Sequence, residues 1–211
     1  MDTVIELLKV AMPVLWFIFV VALVAIFYKP IRDDLVPRLS GLKAMGVEFS
    51  FIQESLDSAI ELAEKTPEWR VDVPERDKER ALRRARQHLS LFANTRFLWA
   101  DDVPRNNWNE RRMFRNAGVT VDIATSTQEA LDKLNNDHYD IVISDMARGG
   151  NALEGLEFLR RLGEHDHSTP VIFYIGNFDP QKGVPLGAFG ITNRPDELLH
   201  LTLDSLERNK M

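Results

Sequence analysis

Arg96–Pro104 reads RFLWADDVP, an apolar run that stops at two adjacent aspartates and a proline. Neighbouring carboxylates repel, so the end of a buried strand is a costly place for them unless something there calls for negative charge. Outward from this stretch, strand-like and helix-like segments alternate. NNWNERRMFRNAG reads as a helix closed by Gly118, a C-cap glycine. VTVDIATS alternates like a half-buried strand, and TQEALDKLNND is a helix with Thr127 or Ser126 at its N-cap. YDIVISDM is apolar on both faces, as a central parallel strand should be. LEGLEFLRRLGEH is a helix, and PVIFYIGN is a second fully apolar strand. A connection punctuated by Gly and Pro then leads to GAFGIT, and PDELLHLTLDSLERN closes the chain as a helix. This alternation predicts an α/β fold with a mostly parallel sheet.

The composition sets the frame for function. The chain has 211 residues, a formal net charge of −6 and no cysteine. Disulfides and thiolate metal sites are excluded, and net acidity argues against a nucleic-acid binder, which usually carries a basic surface.

The N-terminal part differs in character. Val10–Tyr28 reads VAMPVLWFIFVVALVAIFY, without a charge. About 19 apolar residues at 1.5 Å each cover the roughly 30 Å hydrocarbon core of a bilayer. MDTVIELLK before it and YKPIRDD after it do not fit a cleaved signal peptide. Lys29, Arg32, Arg38 and Lys43 follow the run, whereas only Lys9 and the terminal amine precede it. The positive-inside bias therefore predicts a single-pass protein of the plasma (inner) membrane, with a cytoplasmic C-terminal domain and the lipid bilayer as one partner.

Between anchor and sheet, Ile31, Leu35, Leu39, Leu42 and Met45 recur at helical spacing, with Gly46 as the expected stop. Val47, Phe49 and Phe51 alternate like a short extended piece, and Ile52, Leu56, Ala59, Ile60 and Ala63 return to helical spacing. Glu75–Phe92 is an Arg-rich helical stretch with interleaved acids, which reads as a solvated linker helix. The apolar stripes before it offer a face either for packing on the C-terminal domain or for pairing between chains as a homo-oligomer. The expected organisation is an anchor over residues 1–29, a helical linker over 30–94 and an α/β domain over 95–211.

In open α/β sheets, functional groups gather beyond the carboxyl ends of the strands, where strand order reverses. Asp101 and Asp102 end the first strand and Asp145 ends the third. With a 2-1-3-4-5 order those strands are neighbours, and three carboxylates converge on one pocket. A hard cation such as Mg²⁺ takes such ligands. Arg148, in SDMARGG, and Arg194 give another account, in which a guanidinium pairs with Asp145 and closes the pocket without metal; a solvated loop arginine is the simpler reading of Arg148.

FLWADDVP, DIVISDM, PVIFYIGN and GAFGITNRP, in that order, resemble the four signature blocks of response-regulator receiver (CheY-like) domains. The resemblance runs from about Arg96 to Arg208. It implies a flavodoxin-like (βα)5 doubly wound sheet, with Mg²⁺ at Asp101, Asp102 and Asp145 and at the backbone carbonyl of Ala147. It also implies that Asp145 accepts a phosphoryl group from a histidine kinase. Two positions depart from the family pattern. Ile175 stands where the family carries Thr or Ser, and Arg194 stands where it carries Lys. Isoleucine donates no hydrogen bond, and a planar guanidinium is not a compact ammonium. The expectation is an atypical or pseudo-receiver: a membrane-tethered signalling module that docks a histidine kinase or another signalling protein. The alternative is a membrane-anchored α/β effector enzyme, TIR-like or otherwise processing nucleotides or phosphates. The sequence shows no Asp-x-Asp after the first strand, no GxSxG and no GxGxxG in the required context.

Overall fold

The structure, a computed structural model, describes Trp16, residues 36–164 and residues 168–209. Apart from Trp16, the uncharged run Val10–Tyr28 lies outside the described residues. Among those described, no helix is long and apolar enough to cross a membrane. The chain divides into two compact units, residues 1–47 and residues 48–211, and the second holds the sheet.

Helix α1 spans Val36–Lys65. It corrects two expectations, since Gly46 does not end it and no extended piece follows. A mid-helix glycine costs only about 1 kcal/mol relative to alanine, too little by itself to end a helix. Phe49 settles the periodicity. An extended segment would place Phe49 and Phe51 on one side, but Phe49 is 6% exposed and Phe51 45%. Phe49, Ile52, Leu56 and Ile60 form one buried stripe at helical spacing.

Helix α2, Glu75–Gln87, contains the Arg-rich run and is not a solvated spacer. Ala81, Leu82 and Ala85 are buried. Arg84 donates to Asp204 at 2.6 Å and to Glu207 at 3.0 Å, and Arg86 lies over the Phe49 ring at 4.2 Å. Arg84 is therefore committed inside the fold, whereas Arg76, Arg80, Arg83 and Arg86 stay exposed.

The remaining elements are β1 (Arg96–Ala100), α3 (Trp108–Asn116), β2 (Thr120–Ala124), α4 (Thr127–Asn136) and β3 (Ile141–Ser144). They continue with α5 (Glu154–Glu164), β4 (Val171–Tyr174), β5 (Gly190–Thr192) and α6 (Pro195–Asn209). The strands pair in parallel in the order β2-β1-β3-β4-β5, as expected. Ser126 is the N-cap of α4 and accepts from the Glu129 amide at 3.2 Å. Gly118 closes α3 with φ +92°.

Every residue of β3 and β4 is buried, because helices cover both faces. Phe97, Trp99, Ile143, Ile172 and Tyr174 share one core with α1, α2, α3 and α6. Leu98, Ala100, Val142 and Phe173 share the other with α4 and α5. The (βα)5 expectation needs a correction at the fourth crossover. Between β4 and β5 the structure has a single 3-10 turn, Pro180–Lys182, and no α-helix. Gly176, Pro180, Gly183, Pro185 and Gly187 interrupt this connection too often for a helix to propagate.

Candidate functional site

The acidic site lies past the carboxyl ends of β1 and β3. These strands are neighbours, with Ala100 opposite Ser144 in register, so the residues that follow them emerge side by side. One carboxylate oxygen each from Asp101, Asp102 and Asp145 can be chosen so that all three lie within 4.8 Å of one another. Asp101 is buried, Asp145 half-buried and Asp102 exposed.

The loop after β1 is built around Asp101. Its Oδ1 accepts from the Val103 amide at 2.7 Å, and its Oδ2 accepts from the Asn107 side chain. Arg111, itself buried, donates through Nε to the Asn107 carbonyl at 3.2 Å and through Nη2 to the Pro104 carbonyl. Burial pushes the Asp101 carboxyl above the usual range, the Val103 amide pulls it back, and the Asp102 charge adds to the rise. Asp145 is raised in the same way, first by burial and then by Asp101, against the pull of the Met146 amide at 2.7 Å.

The loop after β3 explains the two glycines of ARGGN. Gly149 and Gly150 have φ +57° and +81°, and Arg148 and Asn151 exchange backbone hydrogen bonds at 3.1 and 2.9 Å. Two consecutive positive φ angles make the tight reversal that glycine permits. The reversal turns Arg148 inward, to 2% exposure, and leaves the Gly149 amide donating to Asp102 Oδ2 at 2.8 Å.

Neither arginine closes the pocket as the metal-free account required. Arg148 is not a solvated loop residue either. Its Nη1 donates to the Asp145 backbone carbonyl and to Ser144 Oγ, and its Nη2 donates to Thr127 Oγ1 at 3.1 Å. Its charge reaches Asp145 through space rather than through an ion pair. Arg194 turns away, to Asp196 at 2.7 Å and Asp77 at 3.2 Å. Among the described residues, no lysine or arginine forms an ion pair with Asp101, Asp102 or Asp145.

The carboxylates open onto a cavity of about 830 Å³, within the size range of small-molecule sites. Ile175, Met146, Phe178 and Leu153 supply apolar wall, Ala147 lies at its edge beside Asp145, and Lys182 brings a positive charge.

Residues 97–200 match the family model described as the response regulator receiver domain. This part of the chain is a response regulator receiver domain. The receiver and its flank are 32% identical over 127 residues to Sensor protein EvgS of Escherichia coli (strain K12), covering 59% of this chain. The chain spans about a tenth of the length of that relative, the match covering 10% of it. Among solved structures, the Francisella response regulator 1452 receiver domain is 24% identical, covering 55% of this chain and 99% of that one, with a TM-score of 0.49. The chemotaxis response regulator CheY4 of Vibrio cholerae is 27% identical, covering 53% and 98%, with a TM-score of 0.44.

Several residues around the receiver site carried no sequence signal. Trp69, far upstream, lines the same cavity as Asp101 and Asp145. Glu110, 1% exposed on α3, accepts from the Tyr174 hydroxyl at 2.8 Å. A glutamate in a run of charged residues reads as surface, and only the helix's orientation against the sheet reveals it as buried.

Proposed function

We propose that this receiver domain is a signalling module whose Asp145 accepts a phosphoryl group, with Mg²⁺ held by Asp101, Asp102, Asp145 and the Ala147 carbonyl. The observation that carries the reading is the cluster of three carboxylates within 4.8 Å, with no lysine or arginine among the described residues in an ion pair with any of them. Such a donor set fits a hard divalent ion. Bound there, Mg²⁺ would supply positive charge opposite the oxygens of an incoming phosphoryl group. An oxygen of the Asp145 carboxylate forms the new P–O bond as the P–N bond of a phosphohistidine donor breaks, and the imidazole leaves with the bonding pair. The donor class is a histidine kinase.

The readout departs from the family pattern. Ile175 has no hydroxyl to move toward a phosphoryl group, and the Arg194 guanidinium is engaged by Asp77 and Asp196. A switch needs an interaction that differs between two states, and here the usual one is missing. The domain then works as a docking surface for a signalling partner. No observation favours the effector-enzyme alternative.

Titration calorimetry with Mg²⁺, followed by NMR with beryllofluoride as phosphoryl mimic, tests both parts. Millimolar Mg²⁺ is expected to bind, and Asp145→Ala is expected to weaken binding while raising the melting temperature of the ion-free protein by relieving repulsion. Absence of binding heat sinks the metal site. Shifts that spread from Asp145 across Asp196–Arg208 on beryllofluoride addition sink the atypical readout.

The uncharged run Val10–Tyr28 and the basic residues after it support a single membrane span with the receiver in the cytoplasm. A C-terminal alkaline phosphatase fusion is expected to be inactive, and the chain to resist carbonate extraction. An active fusion refutes the orientation, and release by carbonate refutes the span.

A further inference from the structure

Two strand ends border the acidic site on the side away from β1, and both are tied to a segment that precedes the receiver domain. The end of β4 meets Trp69. The Trp69 and Tyr174 rings meet edge to face, with centroids 6.4 Å apart. The indole lies so close over Gly176 that a Cβ there would stand 2.5 Å from Trp69 Nε1. The end of β5 meets the same segment through Asn193, whose Nδ2 donates to the Trp69 carbonyl at 2.8 Å, and through Arg194, which donates to Asp77 at 3.2 Å.

The segment is held in place rather than merely resting there. The Trp69 amide closes a turn on the Thr66 carbonyl at 3.0 Å, and Arg70 follows with φ +50°. A non-glycine residue in the left-handed region persists only where its surroundings hold it. Here the surroundings include Glu64, which accepts from the Val73 amide at 3.1 Å, and the strand ends themselves. Trp69 also lines the cavity shared by Asp101, Asp145 and Ile175. Ile175 sits between Tyr174 and Gly176, the two residues that carry the indole. Ile175 is joined through the backbone to both, so a shift of Ile175 caused by a group held at Asp145 is carried to the residues that seat Trp69.

We infer that Trp69 is a positioning residue of the acidic site, which ties occupancy of Asp145 to the docking of residues 66–77 on the receiver. The inference rests on the reading of Asp145 as the phosphoryl acceptor. It gives that site an outlet that needs no hydroxyl at position 175. The signal leaves through the segment joining α1 to α2.

The test uses the full chain with Mg²⁺ and beryllofluoride, read in two ways. Fluorine NMR reports beryllofluoride bound at Asp145, and hydrogen–deuterium exchange reports residues 66–77. Bound fluoride accompanied by altered exchange in residues 66–77 is the expected result. Trp69→Ala is expected to abolish the exchange response and weaken beryllofluoride binding about two- to tenfold, the range for losing one aromatic edge contact. Trp69→Phe, which keeps a ring edge for Tyr174, is expected to restore most of both. Gly176→Ala, which drives the indole off without removing it, is expected to reproduce the Trp69→Ala result. Bound fluoride with unchanged exchange in residues 66–77 overturns the coupling and leaves the Asp145 reading standing. Unchanged affinity and exchange response in Trp69→Ala do the same. No bound fluoride in the unmodified chain overturns the Asp145 reading and the coupling with it.

Discussion

Arg148→Met is expected to destabilise the receiver unit by about 2–4 kcal/mol, the range for losing several buried hydrogen bonds from a charged donor. The guanidinium serves three acceptors in the shell beneath the acidic site: Ser144 Oγ, the Asp145 carbonyl and Thr127 Oγ1 at 3.1 Å. Methionine fills the space over the Phe158 ring, which Arg148 now overlies at 5.5 Å, but it returns none of those bonds. It also removes a positive charge that acts through space on Asp145, Asp101 and Asp102. Two effects oppose each other. Burial pushes the Arg148 guanidinium downward, which measures how poorly a charge is tolerated there. The hydrogen bonds outweigh this, because the acceptors stay buried when the donor goes. Added Mg²⁺ should therefore stabilise the variant more than the parent, since it would restore the missing positive charge. Urea unfolding of the full chain with and without Mg²⁺ gives both numbers. A variant as stable as the parent, or an equal Mg²⁺ effect in both, would show that Arg148 is not the internal counter-charge.

Glu110 gives the second large effect, one of pH. Its carboxyl is pushed from an ordinary value of 4.5 up to about 7, first by burial. The Tyr174 hydroxyl bonds one oxygen at 2.8 Å, whereas the other has no partner among the described residues. The sign follows from proton binding. Between those two values the folded protein holds a proton on Glu110 that the unfolded chain has released, so stability falls as pH rises through this window. The contribution is fully present below the unfolded value and is lost above about 7, a difference of about 3 kcal/mol. Glu110→Gln keeps an acceptor for Tyr174 and cannot ionise. It is expected to remove most of the slope between about pH 5 and pH 7 and to be more stable than the parent above that window. Asp101 and Asp145 are raised too, so a weaker slope of the same sign should remain. Urea midpoints across pH decide the matter, and an unchanged slope in the variant would place the proton elsewhere.

The strands, and the placing of Asp101, Asp102 and Asp145 at strand ends, were legible because each depends on neighbours along the chain; the strand order that brings the three together came from the resemblance to receiver domains. Strand periodicity is written in consecutive residues. A carboxylate at the end of an apolar run in a parallel sheet has few places to go. The buried stripe Ile52–Leu56–Ile60 was legible for the same reason, though whether it faced the domain or a second chain was not. The helix missing from the fourth crossover was half legible: its Gly and Pro breaks stood in the sequence, while the expected fold pattern supplied a helix anyway.

The pairing of charges lay beyond the sequence. Arg148 and Arg194 both stood close enough to Asp145 to be its partner on paper, and neither is. Two glycines with positive φ turn Arg148 under the site toward backbone oxygen, and α2 brings Asp77 within reach of Arg194. Trp69 and Glu110 were silent for a related reason. Local pattern says which face of a helix is apolar, but the partner of a polar or aromatic group depends on distances between segments remote along the chain. Only packing sets those distances. The sequence by itself determined a parallel sheet with three carboxylates at the carboxyl ends of two of its strands. The tertiary structure decided that, among the described residues, those carboxylates form no ion pair with an arginine, and that a tryptophan from outside the receiver lines the same cavity.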